Sequence, residues 1–409
     1  MRLLSLALAS VVWAAAAAPE YHARREALAA AHPQSVLVFF GGVQTKDDLT
    51  RFFQEPNFYY LTGWKQPGAM LLVDPQREVL FLPHRNTAFE KYRGPQAEPD
   101  DPDIREATGF SSVMPVERFE GELHASLEHW AALYTSGEDA RARLRRFAPL
   151  RDVQDAGSTL ARLRMKKSPA EVALLAHAAE VTVSAHRAAW KQAAPGKYEY
   201  QAAAAAQSVY LGMGCERDAY PPIAGSGPDG LYLHYQRNER RMNAGELFLL
   251  DAGGECAGYT ADVTRTIPVS GRFSARQREL YEIVLGAQKA VIAAVKPGMT
   301  LGGKTAQSLY QVALDYFNSH GRDLHGEPLG KYFTHGISHH IGLEVHDASD
   351  TSAPLEAGML ISVEPGLYIP EENIGIRIED EVLVTAEGAQ VLTAALPREA
   401  AEIERALAK

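Results

Sequence analysis

Four histidines, His335, His339, His340 and His346, fall within the short stretch Thr334 to Asp347. A lone histidine is ordinarily a satisfied core or surface residue. Imidazoles at this density are instead suited to holding a metal ion or moving protons. The spacing His335 to His339 superficially fits the helical zinc-protease motif, but Gly336 stands where that motif needs Glu, and Gly336 and Gly342 argue against a regular helix. A serine hydrolase is unsupported as well. Gly225-Ser226-Gly227 does not make a Gly-x-Ser-x-Gly elbow ahead of a helix, and no phosphate-cradling glycine loop is present.

Carboxylates supply the second half of the chemistry. Between Glu246 and Thr266 an apolar run ends at Asp251, glycines follow, and a second strand contains Asp262, which reads as a hairpin. With its turn centred between Cys256 and Ala257, Asp251 and Asp262 face each other roughly 5 Å apart, and a divalent cation turns that repulsion into a binding site. With a bulge, one of the two merely caps a turn. Two further strands are expected over Ile361 to Glu364 and Gly375 to Val384, the second carrying Glu379 in an apolar run. An inward Glu379 needs Arg377, another cation or a metal beside it. Asp380 and Glu381 read as solvated neighbours.

Larger elements must position these groups. Short apolar runs at Ser35 to Phe40, Phe58 to Leu61, Ala69 to Val73 and Val79 to Leu82 read as strands of an α/β domain. The chain turns basic around Ala161 to Lys167. Ser168-Pro169-Ala170-Glu171 then supplies an N-cap, a first-turn proline and a capping-box glutamate, which marks a new domain. A second capping box, Ser274 with Gln277, opens another long helix, and each helix runs to a Pro-Gly pair followed by more helix and then strands. The repeated order suggests a pseudo-twofold domain with its site between the halves. The stripe Leu280, Ile283, Val284, Ala287, Val291 and Val295 is read as core.

With 46% hydrophobic and 22% charged residues, the 409-residue chain is neither disordered nor a stapled mini-scaffold. Net charge of −10 without a dense basic block speaks against nucleic-acid or anionic-membrane binding. Two cysteines cannot build a disulfide framework or a cysteine-rich zinc module, and Cys256 reads as a small apolar filler. Met1 to Ala18, with Arg2 leading an apolar, alanine-rich run, has the layout of a cleaved signal peptide. The run is shorter than the about 20 apolar residues of a membrane span, so an exported protein without stable membrane insertion is expected.

These residues resemble the pita-bread metallopeptidases of the Xaa-Pro aminopeptidase (aminopeptidase P) type, with prolidase as close kin. The resemblance rests on Leu233-His234-Tyr235, on Leu250 to Gly253 through Tyr259 to Thr266, on His335-Gly336-Ile337-Ser338-His339 with Val345-His346-Asp347, on Val363-Glu364-Pro365-Gly366, and on Gly375 to Asp380. Upstream, Arg51 to Gln54 and Asn57 to Gly63 are similar to the amino-terminal domain of aminopeptidase P. Three segments are thus implied: a signal peptide over 1–18, an α/β domain over 19–160, and an α+β pita-bread catalytic domain over 161–409.

By resemblance, Asp251, Asp262, His339, Glu364 and Glu379 hold two divalent ions, with Mn2+ favoured. Glu364 acts as general base toward a metal-activated water, and His346 and His234 flank the carbonyl and the scissile nitrogen. His335 lines a proline pocket, while Tyr368 and Arg377 orient ligands. The implied partners are peptides with proline second, a homo-oligomer being compatible with this. Ser338 before His339 resembles aminopeptidase P, whereas prolidase has Gly there. His340 and Glu344 depart from the aromatic residue and Asp commoner at those positions. The alternatives are an Xaa-Pro dipeptidase, with Arg237, Arg240, Arg241 or Lys331 capturing the proline carboxylate, and a non-catalytic peptide-binding module.

Overall fold

Ser35–Phe40 is buried along its whole length and forms β1. It belongs to a computed structural model that describes residues 19–44 and 49–408, so the signal-peptide segment lies outside the described residues. The chain divides into two units between Leu163 and Arg164. In the first, β1 is followed by β2 (Met70–Asp74), β3 (Arg77–Leu82), β4 (Ser112–Pro115), β5 (Ala132–Thr135) and β6 (Val153–Asp155). They form one mixed sheet in the order β4-β3-β2-β1-β5-β6. Val36, Val38, Phe81, Phe119 and Leu133 make its core.

One expected strand is a helix. Residues Pro56–Thr62 wind into a short helix because Glu55 caps it by accepting from the Phe58 N–H, Pro56 fits the first turn, and Gly63 ends it at φ 66°. The apolar run Phe58, Tyr60 and Leu61 is buried, which made it read as a strand.

The second unit begins with the helix Pro169–Trp190, whose Ser168–Glu171 capping box forms as expected. A second helix, Glu199–Gly212, follows Pro195-Gly196. Strands come next: β7 (Arg217–Asp218), β8 (Ile223–Ser226), β9 (Leu247–Asp251), β10 (Gly254–Cys256), β11 (Tyr259–Thr260) and β12 (Thr264–Pro268). The order then recurs. Helix Ala275–Ala294 opens with the Ser274–Gln277 box, helix Leu309–Ser319 follows, and strands return as β13 (Leu360–Val363), β14 (Gly366–Ile369), β15 (Ile374–Arg377), β16 (Asp380–Val384) and β17 (Ala389–Val391). Leu280, Val284, Ala287, Val291 and Val295 are buried as expected, beside Phe248, Leu250, Ile361 and Ile376.

The hairpin has its turn one residue later than the symmetric reading places it. Ala257 and Gly258 carry φ of 54° and 83°, the left-handed pair of a two-residue hairpin loop, and glycine supplies this without steric cost. Asp251 therefore pairs with Thr264, and Asp262 stands diagonal to Asp251 on the same face. The stretch Gly375 to Val384 is likewise two strands. β15 pairs with β14 and β16 with β13, which leaves Glu379 at the break, its N–H bonded to the Thr264 carbonyl at 3.0 Å.

Candidate metal centre

Strand ends from both halves of the second unit meet around a cavity of about 280 Å³. Its lining contains Asp251, Asp262, His339, Glu364 and Glu379 together with His234, His335, His346, Ser338 and Arg377. Asp251 ends β9, Glu364 follows β13, and Glu379 occupies the turn from β15 to β16. Tyr368, on β14, stands behind the lining and reaches His335 and Arg377.

His339 is aimed by its backbone surroundings. Its Nδ1 lies 3.2 Å from the His340 carbonyl, which can only accept, so Nδ1 is a donor and Nε2 is turned toward the acids. That Nε2 is 3.2 Å from Asp262 Oδ2 and 3.4 Å from Glu364 Oε1. The His339 N–H donates to Ser362 Oγ, and Ser362 Oγ donates to Glu364 Oε1 at 3.1 Å, so one serine sets both side chains. Glu379 accepts from Thr264 Oγ1 at 2.6 Å. Among the described residues, ligand atoms of Asp262, His339 and Glu379 all lie within 4.8 Å of one another.

Burial makes this concentration of acid costly. It pushes Glu364 up to about 7, with Asp262 and Asp251 adding repulsion against the pull of His339 and Arg377. Burial and the neighbouring acids drive Glu379 well above the ordinary carboxylate range, and raise Asp262 too. Burial opposes charge on His339, but the bond to Asp262 and the charges of Asp262 and Glu364 prevail and lift it to about 9. The donor set, carboxylate oxygens plus one neutral imidazole nitrogen, suits hard or borderline divalent ions, which remove the mutual repulsion.

Arg377 spans two parts of the site. Its Nη2 is 2.6 Å from Asp251 Oδ2 and its Nη1 donates to the Tyr368 hydroxyl at 2.7 Å. Tyr368 in turn lies 3.0 Å from His335 Nε2, while His335 Nδ1 lies 2.7 Å from the Gly336 carbonyl. Nδ1 is therefore the donor and Nε2 the acceptor, which is the neutral imidazole. Burial, reinforced by Arg377, pushes His335 down to about 4.

The profile of metallopeptidase family M24 matches residues 173–386, and that of the aminopeptidase P N-terminal domain matches residues 21–134. The chain belongs to metallopeptidase family M24. A Haemophilus influenzae Xaa-Pro aminopeptidase is 32% identical to this M24 chain, across 94% of it and 96% of the relative. Proline aminopeptidase P II from Yersinia pestis superposes with a TM-score of 0.84 at 30% identity, covering 95% and 99% of the two chains. Aminopeptidase P from E. coli with the inhibitor Pro-Leu gives 0.83 at 30% identity, covering 95% and 98%. The M24 chain is accordingly a metallo-aminopeptidase.

Several working residues of this M24 enzyme have no signature in the sequence. The Tyr220 hydroxyl lies 2.5 Å from Oδ1 of both Asp251 and Asp262. Burial and those two charges raise it well above the ordinary phenol range, so it stays protonated and donates. Asp380 and Glu381, expected to be solvated, are fully buried. Asp380 pairs with Arg265 at 2.6 Å, and Glu381 Oε1 accepts the Asp262 N–H at 2.8 Å, which makes both parts of the scaffold under the acids. Cys256 is no isolated filler but is disulfide-bonded to Cys215. Arg237, Arg240, Arg241 and Lys331 line no part of the cavity. Arg240 is paired with Glu246 at 2.5 Å, Lys331 with Asp323 at 2.6 Å, Arg237 with Glu239 at 3.6 Å, and Arg241 donates to the Gly196 carbonyl.

Proposed function

We propose that this M24 enzyme removes the N-terminal residue from Xaa-Pro-Yaa peptides with two divalent ions per chain, Mn2+ being the preferred metal. In this reading Asp251, Asp262, His339, Glu364 and Glu379 would hold the two ions. When bound, such ions supply Lewis-acid activation of a water and a peptide carbonyl.

The protein's own groups do the rest. Glu364 Oε1 is engaged by Ser362 and His339, whereas Oε2 lies 3.7 Å from His335 Nδ1, outside hydrogen-bond range. Oε2 is the atom suited to take the water's proton and hand it to the leaving nitrogen. His346 and His234 line the same cavity and are assigned to the developing oxyanion and the scissile nitrogen. His335, held neutral by Tyr368 and the Gly336 carbonyl, presents a ring to the substrate's proline.

The observation that carries aminopeptidase over dipeptidase action is the commitment of Arg377. A dipeptidase must capture the proline carboxylate with a nearby cation. Among the described residues Arg377 is the sole Lys or Arg lining the cavity, and it is already bound to Asp251 and Tyr368. The names of the relatives and Ser338 ahead of His339 support the same choice. Manganese-loaded protein incubated with Ala-Pro-Ala and, separately, Ala-Pro, with products followed by mass spectrometry, tests it. Release of alanine from the tripeptide is expected. Fast cleavage of the dipeptide alone means a dipeptidase, and cleavage of neither overturns the proposed Xaa-Pro specificity.

Export after loss of Met1 to Ala18 is part of the proposal. The apolar leader supports it, and so does the Cys215–Cys256 disulfide, since such bonds persist mainly in oxidising compartments. No helix among the described residues is long and apolar enough to cross a membrane.

A further inference from the structure

We propose that the Cys215–Cys256 disulfide is a brace for the metal centre, locking the edge strand β7 onto β10 so that Tyr220 is held against Asp251 and Asp262. The inference rests on the two-ion reading of the site.

β7 is a two-residue edge strand. Its backbone pairing with β10 sets Gly254 opposite Asp218 and Glu255 opposite Arg217, flanked by bonds from Glu216 N to Glu255 O at 2.8 Å and from Ala219 N to Gly253 O at 2.9 Å, and an Arg217–Glu255 ion pair at 2.8 Å crosses the same two strands. So short an edge is marginal as an independent ladder. Cys215 lies just before β7 and Cys256 ends β10, so the covalent bond pins one end of this strip. Tyr220 stands at the other end. From there its hydroxyl touches both acids, and their Oδ1 atoms are no further apart than twice 2.5 Å. On the opposite side of β10, Ala261 N bonds Gly254 O, one residue before Asp262. A slip of β7 along β10 therefore moves the Tyr220 hydroxyl relative to both carboxylates at once.

Placement argues for a permanent brace rather than a surface switch. Cys215 and Cys256 are 4% and 3% exposed and sit within the main apolar core. Gly254 leaves no room for a side chain against the Tyr210 ring, five residues before Cys215, so the strip lies flush on the helix Glu199–Gly212. The bond forms during folding by thiol–disulfide exchange with an external protein disulfide. The two thiols lose two electrons and two protons in total, and the oxidant becomes a dithiol.

The test compares the full mature chain with its Cys215→Ala/Cys256→Ala variant by manganese titration, free Mn2+ being read by electron paramagnetic resonance. Wild-type protein denatured without reductant should show no alkylatable thiol. The variant should keep its far-UV circular dichroism but bind manganese about 10- to 100-fold more weakly, the range for losing an outer-shell partner. Tyr220→Phe, with the disulfide intact, should weaken binding in the same way, and combining it with the alanine pair should cost less than the two effects multiplied together. A purely structural role would not produce that shortfall. Equal manganese affinity in the alanine pair, or free thiols in the wild type, overturns the brace. If the pair does not fold, wild type folded under reducing conditions replaces it; failure of that form as well makes the bond a folding requirement and overturns the proposal. Wild type that binds no divalent ion overturns the two-ion reading itself.

Discussion

Lys167 and Asp347, 180 residues apart in the chain, are joined in the interior by a 2.7 Å ion pair whose side chains are each 1% exposed. Arg164 closes on the other Asp347 oxygen at 2.5 Å, and Lys167 also donates to the Arg164 carbonyl. The pair ties the residue before the Ser168 cap to the loop that carries His339 and His346. Removing one partner of a buried pair leaves an uncompensated charge.

Asp347→Asn should therefore lose about 3–5 kcal/mol of stability at neutral pH. Burial raises the Asp347 pKa, but Lys167 and Arg164 outweigh it and hold the carboxylate below its ordinary value of 3.8. A depressed carboxylate stabilises the fold above that ordinary value and ceases to do so as pH falls through its own lower pKa. Denaturant midpoints of wild type and variant should differ at pH 7 and converge below about pH 4. A gap that stays constant with pH would show that the pair is not the source.

Asp262→Ala removes one of the acids proposed to hold the ions. Elemental analysis should find the bound metal lost, with peptidase activity abolished, while the six-stranded sheet of the first unit stays folded by circular dichroism. Metal retained in full by this variant contradicts the assigned ligand set.

Proton release should accompany metal uptake. In the metal-free protein Glu364 is pushed from 4.5 up to about 7 and His339 from 6.5 up to about 9. Both groups hold extra protons in the folded state, so their own contribution to metal-free stability should fall as pH rises from about 4.5 toward 9, whereas a metal ion needs the deprotonated ligands. Manganese affinity should accordingly rise between pH 5.5 and 7.5. Titration calorimetry in buffers of different ionisation enthalpy reads the protons directly, and zero release contradicts the linkage.

Gly253→Ala probes the hairpin. A Cβ there would lie 1.7 Å from the Ala261 carbonyl oxygen, a backbone atom one residue from Asp262. The strands must part, so both thermal stability and metal content should drop. Gly302→Ala, with nothing within 4 Å of its added Cβ, is the control and should leave both unchanged.

Export predicts a mature N-terminus close after Ala16 to Ala18. N-terminal sequencing of the active cellular form reads it, and intact Met1 would overturn the assignment.

The sequence by itself determined the candidate ligands and the caps. Asp251, Asp262, Glu364 and Glu379 stand out because each ends or interrupts an apolar stretch where an unpaired charge is costly, and the Ser168 and Ser274 boxes act over three residues. Only the tertiary structure decided what depends on distant contacts. The hairpin register followed the left-handed backbone at Ala257 and Gly258, which moved Asp262 to the diagonal of Asp251. Asp380 and Glu381 became interior because Arg265 and the Asp262 amide, more than a hundred residues away, reach them. Cys215 with Cys256, Tyr220 with the two aspartates, and Lys167 with Asp347 are pairings across 31 to 180 residues. No local period encodes such pairings, because they are set by which surfaces the packed helices and sheets bring together.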